Sequence, residues 1–353
     1  MTTNLSPGST ESRPTERATM NGKPVFSVPA KSVINFDSKF KEKLLCDGPT
    51  FSAGTACAYS CAFCYVPDMF RKQTPWLQKH GVEGRHEDIV VRREGAAQLM
   101  LEQLTDGLGF DKFKEPSDTR VIYASPAVDV AANMDLVRET AEMCKLILTL
   151  THWQIRLLSK SNLLPKLAQL LQEWWLQRDN PLTWPHGHPR DRIIYGVSTG
   201  TLDDGLAAAF EEGTPRVSKR IESLRWLQDN GYRTFGMICP SLPQHDYDQF
   251  AREMAAAIRW ERCEHVWAEV INCRGESFTR THEALKESGF SIEAMQFKDV
   301  SVNPMAWERY ARATFAAHVN IYKGSGKLRF LQYVTKGTRD FWEKQAEHGA
   351  VVL

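Results

Sequence analysis

Strands and helices take turns along most of this chain, and that alternation limits its fold more than any other feature. Runs rich in β-branched and aromatic residues occur at Ile89–Arg93 (IVVRR), Arg120–Ala124 (RVIYA), 155–161 (IRLLSKS), Arg192–Thr199 (RIIYGVST), 233–240 (RTFGMICP) and 265–273 (HVWAEVINC). Each is followed by a segment with apolar residues at helical spacing. A strand handing over to a helix of about 10 to 17 residues, and then to another strand, is a βα unit whose strands pair in parallel. Roughly five or six such units between Phe51 and Arg274 suit a partial barrel better than a doubly wound sheet. With 42% hydrophobic and 25% charged residues, the 353-residue chain can bury a large core. That composition excludes a disordered, collagen-like or coiled-coil protein as a whole-chain description.

The two ends differ from the middle. Residues 1–25 are rich in Ser, Thr, Pro, Glu and Arg and lack the apolar stretch of a secretory signal, so they predict a disordered tail on a cytoplasmic protein. Residues 26–275 take in a lead-in segment and the βα series. Beyond Gly275 the alternation stops. Helices at Thr279–Gly289 and Met305–Tyr322, then a Lys/Arg/aromatic segment, predict a mainly helical extension over 276–353 packed on the barrel. No run of about 18 apolar residues occurs, which leaves no candidate membrane span. Lys and Arg total 44 against 43 Asp and Glu, a formal charge of +1. The chain as a whole therefore has no strong pull toward nucleic acid or acidic lipid, and only a local basic groove remains open.

Eight cysteines stand at 46, 57, 61, 64, 144, 239, 263 and 273. In a long chain without an export signal they do not read as a disulfide scaffold. Five are scattered; Cys57, Cys61 and Cys64 form C-x3-C-x2-C, with Phe63 and Tyr65 on either side of the third. Cysteine thiolates bind soft metals and iron–sulfur clusters. A cubane cluster has four irons, so three protein thiolates leave one iron open to an outside ligand. A structural zinc needs four ligands, and the nearest downstream histidine, His80, is sixteen residues away. The triplet follows what reads as the first strand of the series, at the end where barrel loops place active sites. A zinc site with a distant fourth ligand and a plain trio of buried cysteines are the other readings of the same residues.

C-x3-C-x2-C with an aromatic before the third cysteine, opening a run of βα units, resembles the radical S-adenosylmethionine (SAM) superfamily. The strings VIYASPAVDVAANMDLVRETAEM, LLSKSNLLPKL and GVSTGTLDDGLAAAFEEGTPRVSKRIESLRWLQDNGYRTFGMICPSLP are similar to its spore photoproduct lyase-like branch, and the resemblance spans roughly residues 51–275. It implies an α/β fold with a partial (β/α)6 barrel of radical SAM type. The three cysteines are then expected to hold a [4Fe–4S] cluster whose fourth iron is chelated by the amine and carboxylate of SAM. One-electron reduction, from a flavodoxin or ferredoxin partner, would yield methionine and a 5′-deoxyadenosyl radical that abstracts hydrogen from a substrate. The branch suggests a nucleic acid or nucleobase derivative as substrate; the same chemistry also serves a peptide or small metabolite. A non-enzymatic zinc- or cluster-bearing binding module is the reading from a different class.

The resemblance also distributes roles over the strand ends. Ser125, after RVIYA, falls where the superfamily contacts the methionine amine, although SPAVD stands here in place of the common GGE. Lys160, in SKS, is the expected partner of the SAM carboxylate, since an ammonium pairs a carboxylate as a point charge. Ser198 is expected on the ribose or carboxylate, and Met237 and Ile238 along the adenine slot. Asp129, Cys239, Asn272, Cys273 and Arg274 fall at predicted strand C-termini and therefore face the mouth. Of these, Cys239 is the candidate hydrogen donor to a product radical, Arg274 the anchor for an anionic substrate, and Asp129 a third catalytic candidate. Cys144 falls inside a predicted helix. Two stretches, 71–93 and 174–192, interleave basic residues with aromatics and read either as lid or channel loops suited to stacked bases along a phosphate backbone, or as loops that pack their own tryptophans on the barrel. His186 and His188 form a pair without a third metal ligand nearby.

Overall fold

The computed structural model describes residues 19–124, 126–177, 187–273 and 275–353. Its largest element is a nine-stranded sheet. Eight of the strands are parallel and lie side by side in chain order: Thr50–Phe51, Val121–Ala124, Gln154–Ser159, Ile193–Ser198, Arg233–Ser241, Cys263–Val270, Leu328–Gln332 and Ala350–Val352. Ile34–Asn35 adds an antiparallel strand at the first edge. The order never reverses, as a doubly wound sheet would require. The two edge strands are not paired with each other, so the barrel is not closed. The alternation expected from sequence is therefore found as a mixed α/β fold with a parallel sheet.

The helices between these strands form where sequence signals begin them and apolar stripes hold them. Met134–Leu150 starts at Asn133, whose side-chain oxygen accepts hydrogen bonds from the amides of Asp135 and Leu136, two of the donors a helix start leaves unsatisfied. Leu136, Val137, Ala141, Cys144, Ile147 and Leu148 lie buried along it, each large apolar side chain contributing about 1.5–3 kcal/mol of transfer free energy. Leu164–Leu176, Val217–Asp229 and Tyr247–Ile258 bury comparable stripes.

Two apolar layers result, one on each face of the sheet. The larger holds Leu157, Leu167, Leu224 and Ile238; the other gathers Leu45, Tyr123, Ile194, Phe235, Met237 and Trp267. Side chains alternate along a strand, so Met237 and Ile238 go to opposite layers. The inner layer is sealed by the segment ending at Leu45: the Arg156 guanidinium donates to the Leu45 carbonyl (2.6 Å), and the Trp267 indole donates to Lys43 O (2.8 Å).

Several elements differ from expectation. Val90–Arg93 is a strand, but it lies outside the main sheet. It pairs in parallel with Lys23–Val28 and antiparallel with Gly54–Ala56 in a separate four-stranded sheet, since residue pattern specifies a strand and not its partner. The region after Gly275 is not only helical. Besides Glu276–Glu287, Ser291–Val302, Pro304–Tyr322 and Arg339–Lys344, it supplies the last two parallel strands. The first half of 71–93 is not a loop, because the helix Val66–Lys79 runs through it. Pro67 opens that helix where no amide partner is needed, and Phe70 and Leu77 bury its inner side. Residues 1–18 of the expected tail lie outside the described residues. Among the described residues no helix is long and apolar enough to cross a membrane.

Candidate active site at the cysteine loop

The triplet sits in a loop tied down on three sides. It leaves the strand Gly54–Ala56, where a Cβ on Gly54 would stand 2.3 Å from the Val91 carbonyl oxygen, so only glycine permits the close pairing. Ser60–Cys61 then pairs antiparallel with Glu211–Glu212, and the Ala62 amide donates to Phe210 O (2.9 Å). From the far end of the chain, Arg280 donates to the carbonyls of Ala62 (3.1 Å) and Cys64 (3.0 Å). Tyr65 donates to the Pro126 carbonyl and leads into the helix Val66–Lys79.

Cys57, Cys61 and Cys64 line one pocket together with Tyr59, Phe63, Tyr65, Asp129, Ser159, Lys160 and Ser198. The last three stand at the C-terminal ends of parallel strands. Burial pushes all three thiols up, Cys57 to about 12 with Asp129 adding to the effect, so on their own they stay protonated. A cationic metal core reverses that preference. The donor set fits a [4Fe–4S] cluster: three soft ligands facing one cavity with no fourth cysteine in its lining. Among the described residues no three His, Cys, Asp or Glu side chains converge as the ligands of a single ion do. Cubane ligands bind separate irons, so they surround a core rather than converge on one point.

Lys160 reaches this pocket already engaged. Its ammonium lies 2.6 Å from Glu211 Oε1 and 3.2 Å from Ser198 Oγ. The other Glu211 oxygen lies 2.5 Å from the Arg220 guanidinium, and both of these side chains are only 1% exposed. Burial alone would raise Glu211, but the Lys160 and Arg220 charges outweigh it and hold the carboxyl below its ordinary value. Arg220 also donates to the Ser198 carbonyl (3.3 Å), so the triad fixes the strand end itself. Asp129 is a brace in this arrangement. Its carboxylate accepts from Ser159 Oγ (2.7 Å), the Lys160 amide (2.8 Å) and the Ala131 amide (2.9 Å), while burial raises its pKa.

Cys239 opens onto a neighbouring pocket with Phe40, Lys43, Glu269, Asn272, Cys273 and Tyr333, which shares Phe63 and Tyr65 with the first. Its thiol donates to Glu269 Oε2 (3.2 Å), and the Lys43 ammonium lies 3.3 Å from Glu269 Oε1. Burial, then the Glu269 carboxylate, push the Cys239 thiol well above its ordinary value. The end of the strand is pinched against its neighbour: a Cβ on Gly200 would fall 1.6 Å from the Pro240 carbonyl oxygen.

The expected site residues divide accordingly. The three cysteines, Asp129, Lys160 and Ser198 share one pocket, and Cys239 stands beside it with Asn272 and Cys273. Met237 and Ile238 are buried, one in each of the two apolar layers, and neither lines the two pockets. Ser125 and Arg274 lie outside the described residues, as do Trp184 and His186 in the second basic stretch. At the ends of that stretch, Trp174 and Trp175 belong to the helix Leu164–Leu176, and Arg192 is a buried brace donating to the carbonyls of Leu148, Thr151 and Trp153. Sequence reasoning missed Glu211, Arg220, Glu269 and Arg280. The first two had a signal, because they are the acid and the arginine of the string EEGTPRVSKRIESL.

The parallel sheet in unreversed order, with polar side chains at its C-terminal strand ends facing the cysteine loop, has counterparts among solved structures. Among solved structures, spore photoproduct lyase complexed with dinucleoside spore photoproduct superposes with a TM-score of 0.53 over 87% of this chain and 81% of its own, at 11% identity. A variant of the same lyase with bound AdoMet and the dinucleoside gives 0.48 over 82% and 77%, at 13% identity. The likeness is one of fold. Among curated proteins, the uncharacterized protein ORF301 of Acidianus two-tailed virus is 21% identical over 243 residues, 66% of this chain and 70% of its own length. No protein-family profile matches the chain.

Proposed function

We propose that this chain is a radical SAM enzyme acting on a substrate seated against Cys239. The observation that carries the reading is one pocket lined at once by the three cysteines of C-x3-C-x2-C and by Lys160 and Ser198 at strand ends. On this reading the parallel sheet is the open, partial barrel of that class, with its mouth at those ends. Cys57, Cys61 and Cys64 hold the [4Fe–4S] cluster, and their number leaves one iron for SAM. When bound and reduced by a flavodoxin or ferredoxin, that pair supplies a 5′-deoxyadenosyl radical able to take hydrogen from a substrate.

The chain's own residues supply position, charge and dryness. Asp129 fixes the backbone of Lys160, while Glu211 and Arg220 hold its ammonium at the pocket wall, where it presents positive charge to the SAM carboxylate. Ser198, bonded to Lys160 and to the Cys239 carbonyl (3.0 Å), is the second polar contact at that wall. Phe63 and Tyr65 stand between the two pockets and keep water from the reacting space. Cys239 stays a neutral thiol through burial and its bond to Glu269, the form in which sulfur gives up a hydrogen atom to a product radical. The substrate class suggested by the branch, and by the dinucleoside in the lyase complex, is a nucleobase derivative; a peptide or small metabolite uses the same residues.

The test is anaerobic purification followed by iron and sulfide analysis and incubation with SAM and dithionite. About four irons per chain and formation of 5′-deoxyadenosine are expected. A colourless protein carrying one zinc, with no 5′-deoxyadenosine, overturns the reading in favour of a binding module.

A further inference from the structure

A second cleft lies on the other side of the helix that follows the cysteines, and it shares no lining residue with either pocket at the mouth. It has a volume of about 720 Å³ and is bounded by the segment after Lys23–Val28, the strand Gly54–Ala56, the end of Val90–Arg93 and one side of the helix Val66–Lys79. Three cations line it, Lys31, Lys72 and Arg93, and no Asp or Glu does. Among the described residues none of the three makes an ion pair. The Arg93 guanidinium donates to the carbonyls of Ser52 (2.9 Å) and Val33 (3.3 Å), and desolvation lowers its pKa with no carboxylate beside it to oppose the shift.

A guanidinium taken from water and given only neutral acceptors is the kind of charge that proteins normally match with an anion. The cleft has two further features that bear on which anion. The Thr55 hydroxyl oxygen, buried in its wall, has no hydrogen-bond partner among the described residues. Trp76, 42% exposed, stands at the rim with His80 tilted against one face at 4.4 Å between centroids. Convergent cations and a free hydroxyl suit the several oxygens of a phosphate; an exposed indole beside them suits a flat aromatic group. A volume of this order is that of a small-ligand pocket, which spans about 300–1,000 Å³.

We propose that this cleft is a nucleotide-phosphate site: phosphate oxygens on Arg93, Lys31, Lys72 and the Thr55 hydroxyl, and the base against Trp76. Its place is independent of the radical chemistry, and it has its own readout. The full chain is titrated with ADP, with inorganic pyrophosphate and with oligothymidylates of increasing length. Each titration is followed by tryptophan fluorescence or anisotropy at two salt concentrations, and 5′-deoxyadenosine formation is measured in parallel. ADP is expected to bind more tightly than pyrophosphate. Lys31→Gln with Lys72→Gln is expected to weaken it at least tenfold and to flatten its salt dependence. Trp76→Ala is expected to cost about five- to hundredfold for ADP and nothing for pyrophosphate. Oligothymidylate affinity that rises with length and falls in the same variants identifies a strand as the source of the phosphate; length-independent affinity below that of ADP identifies a free nucleotide. Absence of binding by all three ligands overturns the proposal, as does binding that the variants leave unchanged. Because Lys31, Lys72 and Trp76 lie outside the cysteine pocket, 5′-deoxyadenosine formation without nucleotide binding sinks the cleft alone, and the converse sinks the radical reading alone.

Discussion

Lys160 and Arg93 are both desolvated cations near the cysteine loop, and they are treated in opposite ways. Lys160 has a fully buried carboxylate 2.6 Å away, which it shares with Arg220. Arg93 has two carbonyls and no acid. The difference teaches what each region is for. Around Lys160 one carboxylate serves two cations, which fixes the wall and leaves a single positive charge facing the pocket; around Arg93 no carboxylate is present at all, which is the imbalance the proposed phosphate would meet.

The first region is proposed as an iron site, and the largest expected effect tests that. Cys57→Ala, Cys61→Ala and Cys64→Ala each lose the cluster entirely, measured as iron per chain and visible absorbance, because three ligands leave no spare. Full iron content in any one of them breaks the assignment. Next comes Glu211→Gln, which strands Lys160 and Arg220 without a counter-charge and costs about 3–5 kcal/mol in denaturant unfolding. The same carboxylate has a pH signature. Its folded pKa lies below the ordinary 4.5, so its contribution is complete above that value and drains away as pH falls toward the folded pKa. The wild type should therefore lose more stability than Glu211→Gln between neutral pH and the acid range. Lys160→Ala should weaken SAM binding roughly tenfold or more, and more than Ser125→Ala does; equal affinities by titration would remove the carboxylate role. The smallest effect is Arg93→Gln. It gives up two carbonyl bonds but also a desolvated charge, so its unfolding free energy should change by about 1 kcal/mol or less. A loss as large as that of Glu211→Gln would show that Arg93 is a structural strut and erase the contrast.

The alternation of strands and helices was legible because it is periodic and local. The cysteine triplet was legible because seven residues of spacing carry its chemistry. Other features were hidden for reasons of distance. Val90–Arg93 has the composition of any buried strand, and only its neighbours put it in the small sheet. Leu328–Gln332 and Ala350–Val352 are five and three residues long, too short to show a period, and their parallel partners come from the fold. Pro75 and the surrounding basic residues disguised the helix Val66–Lys79 as a loop. At the site, Lys160 and Ser198 were readable as polar residues at strand ends, but Glu211 lies within an acidic pair and Arg280 on a helix more than two hundred residues from the loop it grips. Met237 and Ile238 are adjacent in a strand, so their side chains point to opposite faces and at most one of them turns its side chain toward any one slot.

The grip of Arg280 has a practical consequence. It acts on main-chain oxygens of Ala62 and Cys64, and it needs neither sulfur nor iron to do so. If the proposed cluster is lost to air, the loop should keep its shape, ready to be recharged with ferrous iron and sulfide at neutral pH without passing through denaturation.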